Sequence, residues 1–348
     1  MSPQMQIGQR TIGNGSTYMI AEMSANHNGD LDTAKRIIHA ISESGADAVK
    51  LQTYTPETMT IDCDQPDFVI GSGTIWEGKK LFDLYGEAYT PWDWHEELFF
   101  LANELGLDCF STPFDKTSVD FLEQFSPPCY KVASFELVDL PLLEYIASKG
   151  RPIIMSTGMA SLAEISDAVD VVKSAGVSLT LLKCTSAYPA PPASMNLRTI
   201  PHLAEAFGVP SGLSDHTLGI AVPTTAVALG AAVIEKHFTL SRSDPGPDST
   251  FSLEPHEFEA MVNAVRVTEQ AIGNVSYQLT DKEEASRAFR RSLFVTKDIS
   301  AGEIITSANV RSIRPGNGLP PKYLPQILGR RVAQDTPRGT PLSWSLLT

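Results

Sequence analysis

The sequence lacks several features that would assign it quickly to a class. It has four cysteines in 348 residues, Cys63, Cys109, Cys129 and Cys184, and none forms a CxxC pair. That argues against a disulfide framework or a thiolate zinc cage; buried, reduced thiols of a cytoplasmic protein are expected. No apolar run approaches the ~20 residues of a membrane-spanning helix, so no membrane partner is expected. The N-terminal MSPQMQIGQRTIG carries no apolar leader core. No GxGxxG follows the first apolar run and there is no Walker loop, which disfavours a Rossmann or P-loop fold. Positive charge is scarce: 27 Lys and Arg against 41 Asp and Glu leave a net charge of −14. A duplex-binding protein needs a basic footprint, so nucleic acid is excluded as a partner. A local basic pocket for a small anion remains open.

What is present is a repeat of short apolar runs and helix-period stretches. Strands are expected at 18–22, 48–52, 107–111, 129–134, 152–156, 179–184, 211–214 and 232–237. Helices are expected at 31–44, 94–105, 117–125, 140–149, 162–175, 199–207, 220–229 and 255–272. Nearly continuous apolar strands imply a parallel sheet covered by helices. Eight units in ~270 residues fit a closed (β/α)8 TIM barrel better than an open sheet. After Gly273 the texture changes to short strands and turns. The expected division is an α/β barrel over 1–280, a charged connector over 281–290 and a small C-terminal domain over 291–348. About 60 residues is marginal for an independent core, so this piece is expected to dock on something larger. The gap between the second and third strands is unusually long. Its segment 75–95, with Trp76, Tyr85, Tyr89 and Trp92, is either a substrate-shaping insertion or a structural helix with its cap.

Polar residues recur at the ends of the apolar strands: Glu22, Lys50 with Gln52, Ser111-Thr112, Lys131 with Ser134 and Glu136, Ser156-Thr157, Thr185-Ser186 with Tyr188, Ser214-Asp215-His216 and Glu235-Lys236-His237. In a barrel these C-terminal ends converge on one mouth, and buried polar groups need partners. Lys50 and Lys131, surrounded by hydroxyls, suggest an anion site for phosphate; ordinary ion pairs with Glu22 or Glu136 are the alternative. His216 and His237 end the seventh and eighth strands. Neighbouring strands lie ~4.8 Å apart, so both imidazoles can reach one ion. With no thiolate nearby, Mn2+ or Mg2+ suits such a site better than structural zinc. His27, just after the first strand, is open to either reading.

These residues sit in motifs that resemble the sialic acid synthase family: Ile20-Ala-Glu22 with Asn26-His-Asn-Gly29, Lys50-Leu-Gln52, Ser111-Thr-Pro-Phe114, Tyr130-Lys131, Ser156-Thr-Gly-Met159 and Cys184-Thr-Ser-Ala-Tyr-Pro189. Gly212-Leu-Ser-Asp-His-Thr217, Glu235-Lys-His-Phe-Thr239, Pro245-Gly-Pro-Asp248 and Arg314-Pro-Gly-Asn-Gly318 follow in family order. The resemblance implies condensation of phosphoenolpyruvate with an amino-sugar aldehyde. It also implies a barrel followed by an antifreeze-like (SAF) domain, and a homodimer in which that domain covers the partner's active site. Ile75 to Tyr85, Tyr89-Thr-Pro-Trp92 and Ala133-Ser-Phe-Glu136 resemble the branch that makes pseudaminic acid from 2,4-diacetamido-2,4,6-trideoxy-L-altrose. The aromatic residues of the insertion would then wall the sugar's methyl and acetamido groups. By the same resemblance, Lys50, Thr112, Lys131, Ser134, Ser156 and Ser214 hold phosphoenolpyruvate. Ser186 stands where the sialic acid branch often has Asn. Gln52, Tyr188, Glu235, Asp248 and Arg314 of the partner subunit contact the sugar, and His216 and His237 hold the metal. Glu136 is the first candidate acid/base and Glu22 the second. The rival readings are an N-acetylneuraminate or legionaminate synthase, a ketodeoxyoctulosonate-type barrel, and a non-enzymatic scaffold.

Overall fold

A computed structural model describes residues 3–73 and 75–348; Met1 and Ser2, with which the expected barrel segment begins, and Thr74 lie outside the described residues. The chain divides into two compact units, Met1–Gly273 and Asn274–Thr348.

The first unit opens with a feature the hydrophobic pattern did not signal, an antiparallel hairpin of β1 (Met5–Ile7) and β2 (Arg10–Ile12). Eight parallel strands follow: β3 (Tyr18–Glu22), β4 (Ala48–Thr53), β5 (Asp108–Pro113), β6 (Tyr130–Val132), β7 (Ile153–Ser156), β8 (Leu179–Cys184), β9 (Ser211–Asp215) and β10 (Val233–His237). The first strand, β3, pairs with the last, β10, and β5 and β6 at the two ends of the hydrogen-bonded order pack side by side. The sheet is therefore a closed barrel with a helix after each strand.

Period-two alternation explains how each strand serves two cores. Tyr18, Ile20, Ala48, Phe110, Cys129, Ile154, Leu182 and Val233 point into the lumen and form one cluster with Met5, Ile7 and Ile12 of the hairpin. The hairpin thus plugs the bottom of the barrel. Arg10 reinforces the plug through Asp47 and Asp108, at the starts of β4 and β5. The intervening residues, such as Met19, Ala21, Val49, Leu51, Met155, Leu181 and Ile234, face the helices. The helix Leu31–Glu43 shows why: Ala34, Ile37, Ile38 and Ile41 recur at helical spacing and are buried, and the Asp30 side chain caps the first turn by accepting the Thr33 N–H. Gly212 is required because a Cβ there would meet the Val233 carbonyl of β10.

The second unit pairs β11 (Ser292–Val295) with β12 (Val310–Ile313) and has its own small core, including Leu293, Val295, Ile299, Ile305, Val310, Ile327, Val332 and Leu342. Residues 281–290, expected as a connector, are a short helix, Asp281–Ser286, followed by a 3-10 turn, Arg287–Phe289. Among the described residues, no helix is long and apolar enough to cross a membrane.

Candidate active site

Above the apolar layer the lumen face turns polar. Glu22 follows Ile20 on β3, Lys50 and Gln52 follow Ala48 on β4, and Lys131 follows Cys129 at β6. Ser156 and Cys184 end β7 and β8, Ser214 is the penultimate residue of β9, and Glu235 and His237 follow Val233 on β10. The parallel register places Glu22 opposite both Lys50 and His237, and Glu235 opposite Ser214. These side chains line one cavity of about 500 Å³.

At its base is a charge network. Lys50 Nζ lies 3.0 Å from Glu22 Oε2 and 3.0 Å from Glu235 Oε1. Glu235 Oε1 also accepts the Ser214 hydroxyl at 2.9 Å and sits 3.7 Å from Lys131 Nζ. Lys131 donates to Ser156 Oγ at 2.7 Å and to the Val132 carbonyl at 2.9 Å. The two lysines are only 3% and 1% exposed. So the alternative of ion pairing is realised, with Glu22 and Glu235 rather than Glu136. Two ammonium groups face two carboxylates, and these four charges cancel. Each lysine's charge is thus met by a carboxylate in the cavity.

The titration behaviour follows from this geometry. Burial pushes the Glu22 and Glu235 carboxyls up, but His237 and Lys50 (for Glu22) and Lys131 and Lys50 (for Glu235) hold both below the usual range. Burial lowers Lys131 and its carboxylate neighbour does not fully compensate, whereas Glu22 and Glu235 outweigh burial at Lys50 and raise it. Glu136 differs. Burial pushes its carboxyl up to about 7, and its Oε2 is buried without a hydrogen-bond partner among the described residues. It is a carboxyl poised between proton acceptor and donor near neutral pH.

The hydroxyl groups are arranged around β6 to β8. Ser134 Oγ accepts the Gly158 N–H at 3.0 Å. Gly158 has no room for a side chain, because a Cβ would meet Ser186 Oγ and lie 2.7 Å from Ser134 Oγ. Ser186 lies 3.8 Å from the Cys184 thiol. Thr112 Oγ1 is buried and lacks a partner among the described residues, as does Glu235 Oε2. Asp248 accepts the Ser24 hydroxyl and lines the cavity with Gln52 and Tyr188. Gln52 Nε2 donates to Glu22 Oε1 at 2.8 Å. Arg314 lies in the second unit, exposed, directly after β12.

His216 and His237 lie with ring centroids 5.3 Å apart. His216 Nδ1 faces the Thr185 carbonyl at 3.3 Å, and among the described residues nothing bonds its Nε2. His237 Nε2 contacts Glu22 Oε2 at 3.1 Å, and its buried Nδ1 has no partner among the described residues. A carbonyl on one ring nitrogen with the other left free is the usual second-shell arrangement of a ligating histidine. Among the described residues, no group of three or more His, Cys, Asp or Glu is arranged as a metal cage. The His237 Nδ1 and His216 Nε2, both without a partner among the described residues, are the atoms that could hold a divalent cation; two imidazoles alone do not make a closed structural site.

Cys184, expected as a buried, reduced thiol, is buried and free and sits 3.9 Å from His216 Nδ1. Burial raises its pKa, but His216, with Ser134 and Lys131, together outweigh this and bring it down to about 7. Its lumen position two residues after Leu182 was the available signal. His27 is structural: its ring nitrogens bond the Thr90 hydroxyl and the Gly29 N–H, and burial holds its pKa down at about 4. The aromatic insertion divides. Trp76 and Tyr85 line the outer cavity with Tyr54 and Phe114, and Trp76 donates its indole N–H to the Pro247 carbonyl at 3.1 Å. Trp92 instead stacks on Phe121 at 4.4 Å and bonds the Tyr54 carbonyl, and Tyr89 is outside the lining.

Comparison with known proteins matches the NeuB family over residues 37–277 and the SAF domain over residues 290–348. The chain is 45% identical to a pseudaminic acid synthase of Campylobacter jejuni, covering 96% of this chain and 98% of that one. It is 41% identical to an N,N'-diacetyllegionaminic acid synthase of Legionella pneumophila, covering 94% and 93%. A crystal structure of the N-acetylneuraminic acid synthetase of Leptospira borgpetersenii, in complex with citrate, superposes with a TM-score of 0.73 at 30% identity over 82% of this chain and 95% of that one.

Proposed function

The chain belongs to the NeuB family, and from that premise we propose that it condenses phosphoenolpyruvate with 2,4-diacetamido-2,4,6-trideoxy-L-altrose to give pseudaminic acid and phosphate. The observation that carries this reading is the two-part cavity. Its base gathers lysines, hydroxyls, carboxylates and two imidazoles. Its outer wall of Tyr54, Trp76, Tyr85 and Phe114 is apolar, which suits a sugar with a methyl group in place of a terminal hydroxyl.

In the proposed reaction, C3 of phosphoenolpyruvate forms a bond to the aldehyde carbon of the sugar. Water adds at C2, and the C2–O bond to phosphate breaks, so phosphate leaves carrying the bridging oxygen and the electron pair of that bond, and the C2 ketone oxygen comes from the water. Lys50, Lys131, Ser134, Ser156, Ser214 and Thr112 would hold the phosphate and carboxylate groups. Gly158 lets Ser134 and Ser186 approach closely enough to share that task. Gln52, Tyr188, Asp248 and the free Oε2 of Glu235 would orient the sugar. Glu136 would take a proton from the water attacking C2, the role its neutral-range carboxyl allows; Glu22 would serve the aldehyde end. A divalent cation, Mn2+ or Mg2+, held by His216 and His237 would supply Lewis-acid polarisation of the aldehyde oxygen. It would also give the cavity the positive charge that Lys50 and Lys131, each matched by a carboxylate, do not.

We further propose a homodimer in which the C-terminal unit covers the partner's barrel mouth, bringing in Arg314 of the partner subunit. Phe135, Met159 and Leu218, which follow β6, β7 and β9 and are 59%, 63% and 56% exposed, support a covered mouth. Four free cysteines are in keeping with a reducing, cytoplasmic setting. Phosphate release from phosphoenolpyruvate, measured with the altrose, the legionaminate precursor 2,4-diacetamido-2,4,6-trideoxymannose and N-acetylmannosamine in turn, tests the substrate. The altrose is expected to give the highest kcat/KM. An equal or higher value with either mannose-configured sugar overturns the assignment.

A further inference from the structure

Two polar strand-end residues, Asp215 and Lys236, take no part in the cavity. Each lies between lumen-facing residues, Ser214 and His216 on one strand and Glu235 and His237 on the next, so alternation turns both outward. They are register partners on β9 and β10. Both side chains are 0% exposed, and Lys236 Nζ lies 2.5 Å from Asp215 Oδ2. The same ammonium donates to the Thr217 carbonyl. Asp215 Oδ1 accepts the Thr217 N–H at 3.0 Å, and Oδ2 accepts the Thr217 hydroxyl at 3.1 Å. The backbone from 215 to 217 therefore folds around its own carboxylate, and a lysine from the neighbouring strand pins both ends of the turn.

His216 is the middle residue of that turn, and His237 directly follows the lysine. We propose that Asp215, Thr217 and Lys236 form a positioning clamp that sets the separation and orientation of the His216 and His237 imidazoles. Stability alone is a poor reason for such a pair. Two fully buried charges carry a large desolvation cost, and replacing a buried ion pair by apolar residues is often neutral. Nothing in the pair reaches the cavity. What it does fix is the backbone on either side of the two rings, across two strands that otherwise diverge into separate loops. The role of the rings in holding a cation rests on the function proposed above, so the test has one arm with metal and one without.

The experiment uses the full-length chain, Asp215→Asn/Lys236→Met, which removes both charges together, and Thr217→Val, which removes one hydroxyl and keeps the ion pair. Titrated with Mn2+ alone, the double variant is expected to bind about 10–100-fold more weakly than wild type, and Thr217→Val about fivefold more weakly. Without metal, 15N-histidine spectra are expected to show one sharp tautomer for each of His216 and His237 in wild type, and exchange-broadened signals in the variants. Mn2+ affinity within twofold of wild type, together with unchanged imidazole signals, overturns the clamp. If wild type shows no Mn2+ binding that depends on His216, the metal reading fails instead, and the metal-free spectra decide the clamp. If the double variant does not fold, Thr217→Val decides it.

Discussion

Replacing Glu136 with Gln probes the proposed acid/base from two sides. The wild-type carboxyl is raised from an ordinary 4.5 to about 7, and burial is the largest cause. As a proton-transfer group it is expected to contribute about 10²–10⁴ in rate. Glu136→Gln should lose that factor in kcat while the KM for phosphoenolpyruvate changes little, because Lys50, Lys131 and Ser156 are untouched. The wild-type rate profile should show a limb near pH 7 that the variant lacks. The stability consequence has the opposite sign. A carboxyl whose folded pKa is raised contributes stability that is fully present below about 4.5 and is lost as pH rises through about 7. The loss has a ceiling of about 3 kcal/mol; since Glu136 is only partly buried by area, about 1–3 kcal/mol is expected after solvent screening. Gln carries no charge to desolvate. The variant should therefore match wild type in urea unfolding at about pH 4, below the unfolded carboxyl's pKa, and exceed it by that amount at pH 8.5. Near-wild-type turnover, or a variant less stable than wild type at pH 8.5, would refute the reasoning.

Three other outcomes follow from the site. Chelation should abolish phosphate release and Mn2+ should restore it, whereas a His216→Ala/His237→Ala variant should not be restorable; retained metal-dependent turnover there defeats the two-imidazole site. Gly158→Ala should raise the KM for phosphoenolpyruvate while costing about 1–3 kcal/mol of stability, because the added Cβ meets two serine hydroxyls, which can rotate, and lies 3.1 Å from the Ser134 Cβ, which cannot; an unchanged KM would separate Ser134 and Ser186 from the substrate. Gly212→Ala should cost at least about 1–3 kcal/mol in chemical denaturation, because the obstruction there is the Val233 backbone carbonyl, which cannot rotate aside; a neutral effect would count against the close approach of β9 and β10.

Much of this architecture was legible in the chain. Strands 18–22 and 179–184 and helices 199–207 and 255–272 have the expected bounds, and the other barrel elements differ by a residue or two at most ends. Of the polar strand-end residues, Glu22, Lys50, Gln52, Lys131, Ser134, Glu136, Ser156, Tyr188, Ser214, His216, Glu235 and His237 line one cavity, whereas Asp215 and Lys236 turn away from it. The hairpin of Met5–Ile7 and Arg10–Ile12 was not legible, because three-residue strands carry too little alternation to read and their burial depends on a lumen that exists only after the ring closes. Trp76 and Trp92 look alike in sequence, yet one lines the cavity and the other stacks on Phe121.

The sequence by itself determined which faces each strand presents, because alternation is a property of a residue and its immediate neighbours. It therefore set the polar layer of Glu22, Lys50, Lys131, Ser214 and Glu235 above the apolar one. Only the tertiary structure decided how those groups pair. The register of β3, β4, β9 and β10 places Glu235 between two lysines, sets Glu22 against His237 and hides Asp215 with Lys236 behind the histidines. Partnership across strands depends on register and ring closure, which bring together residues up to about two hundred positions apart, and no local pattern encodes that distance.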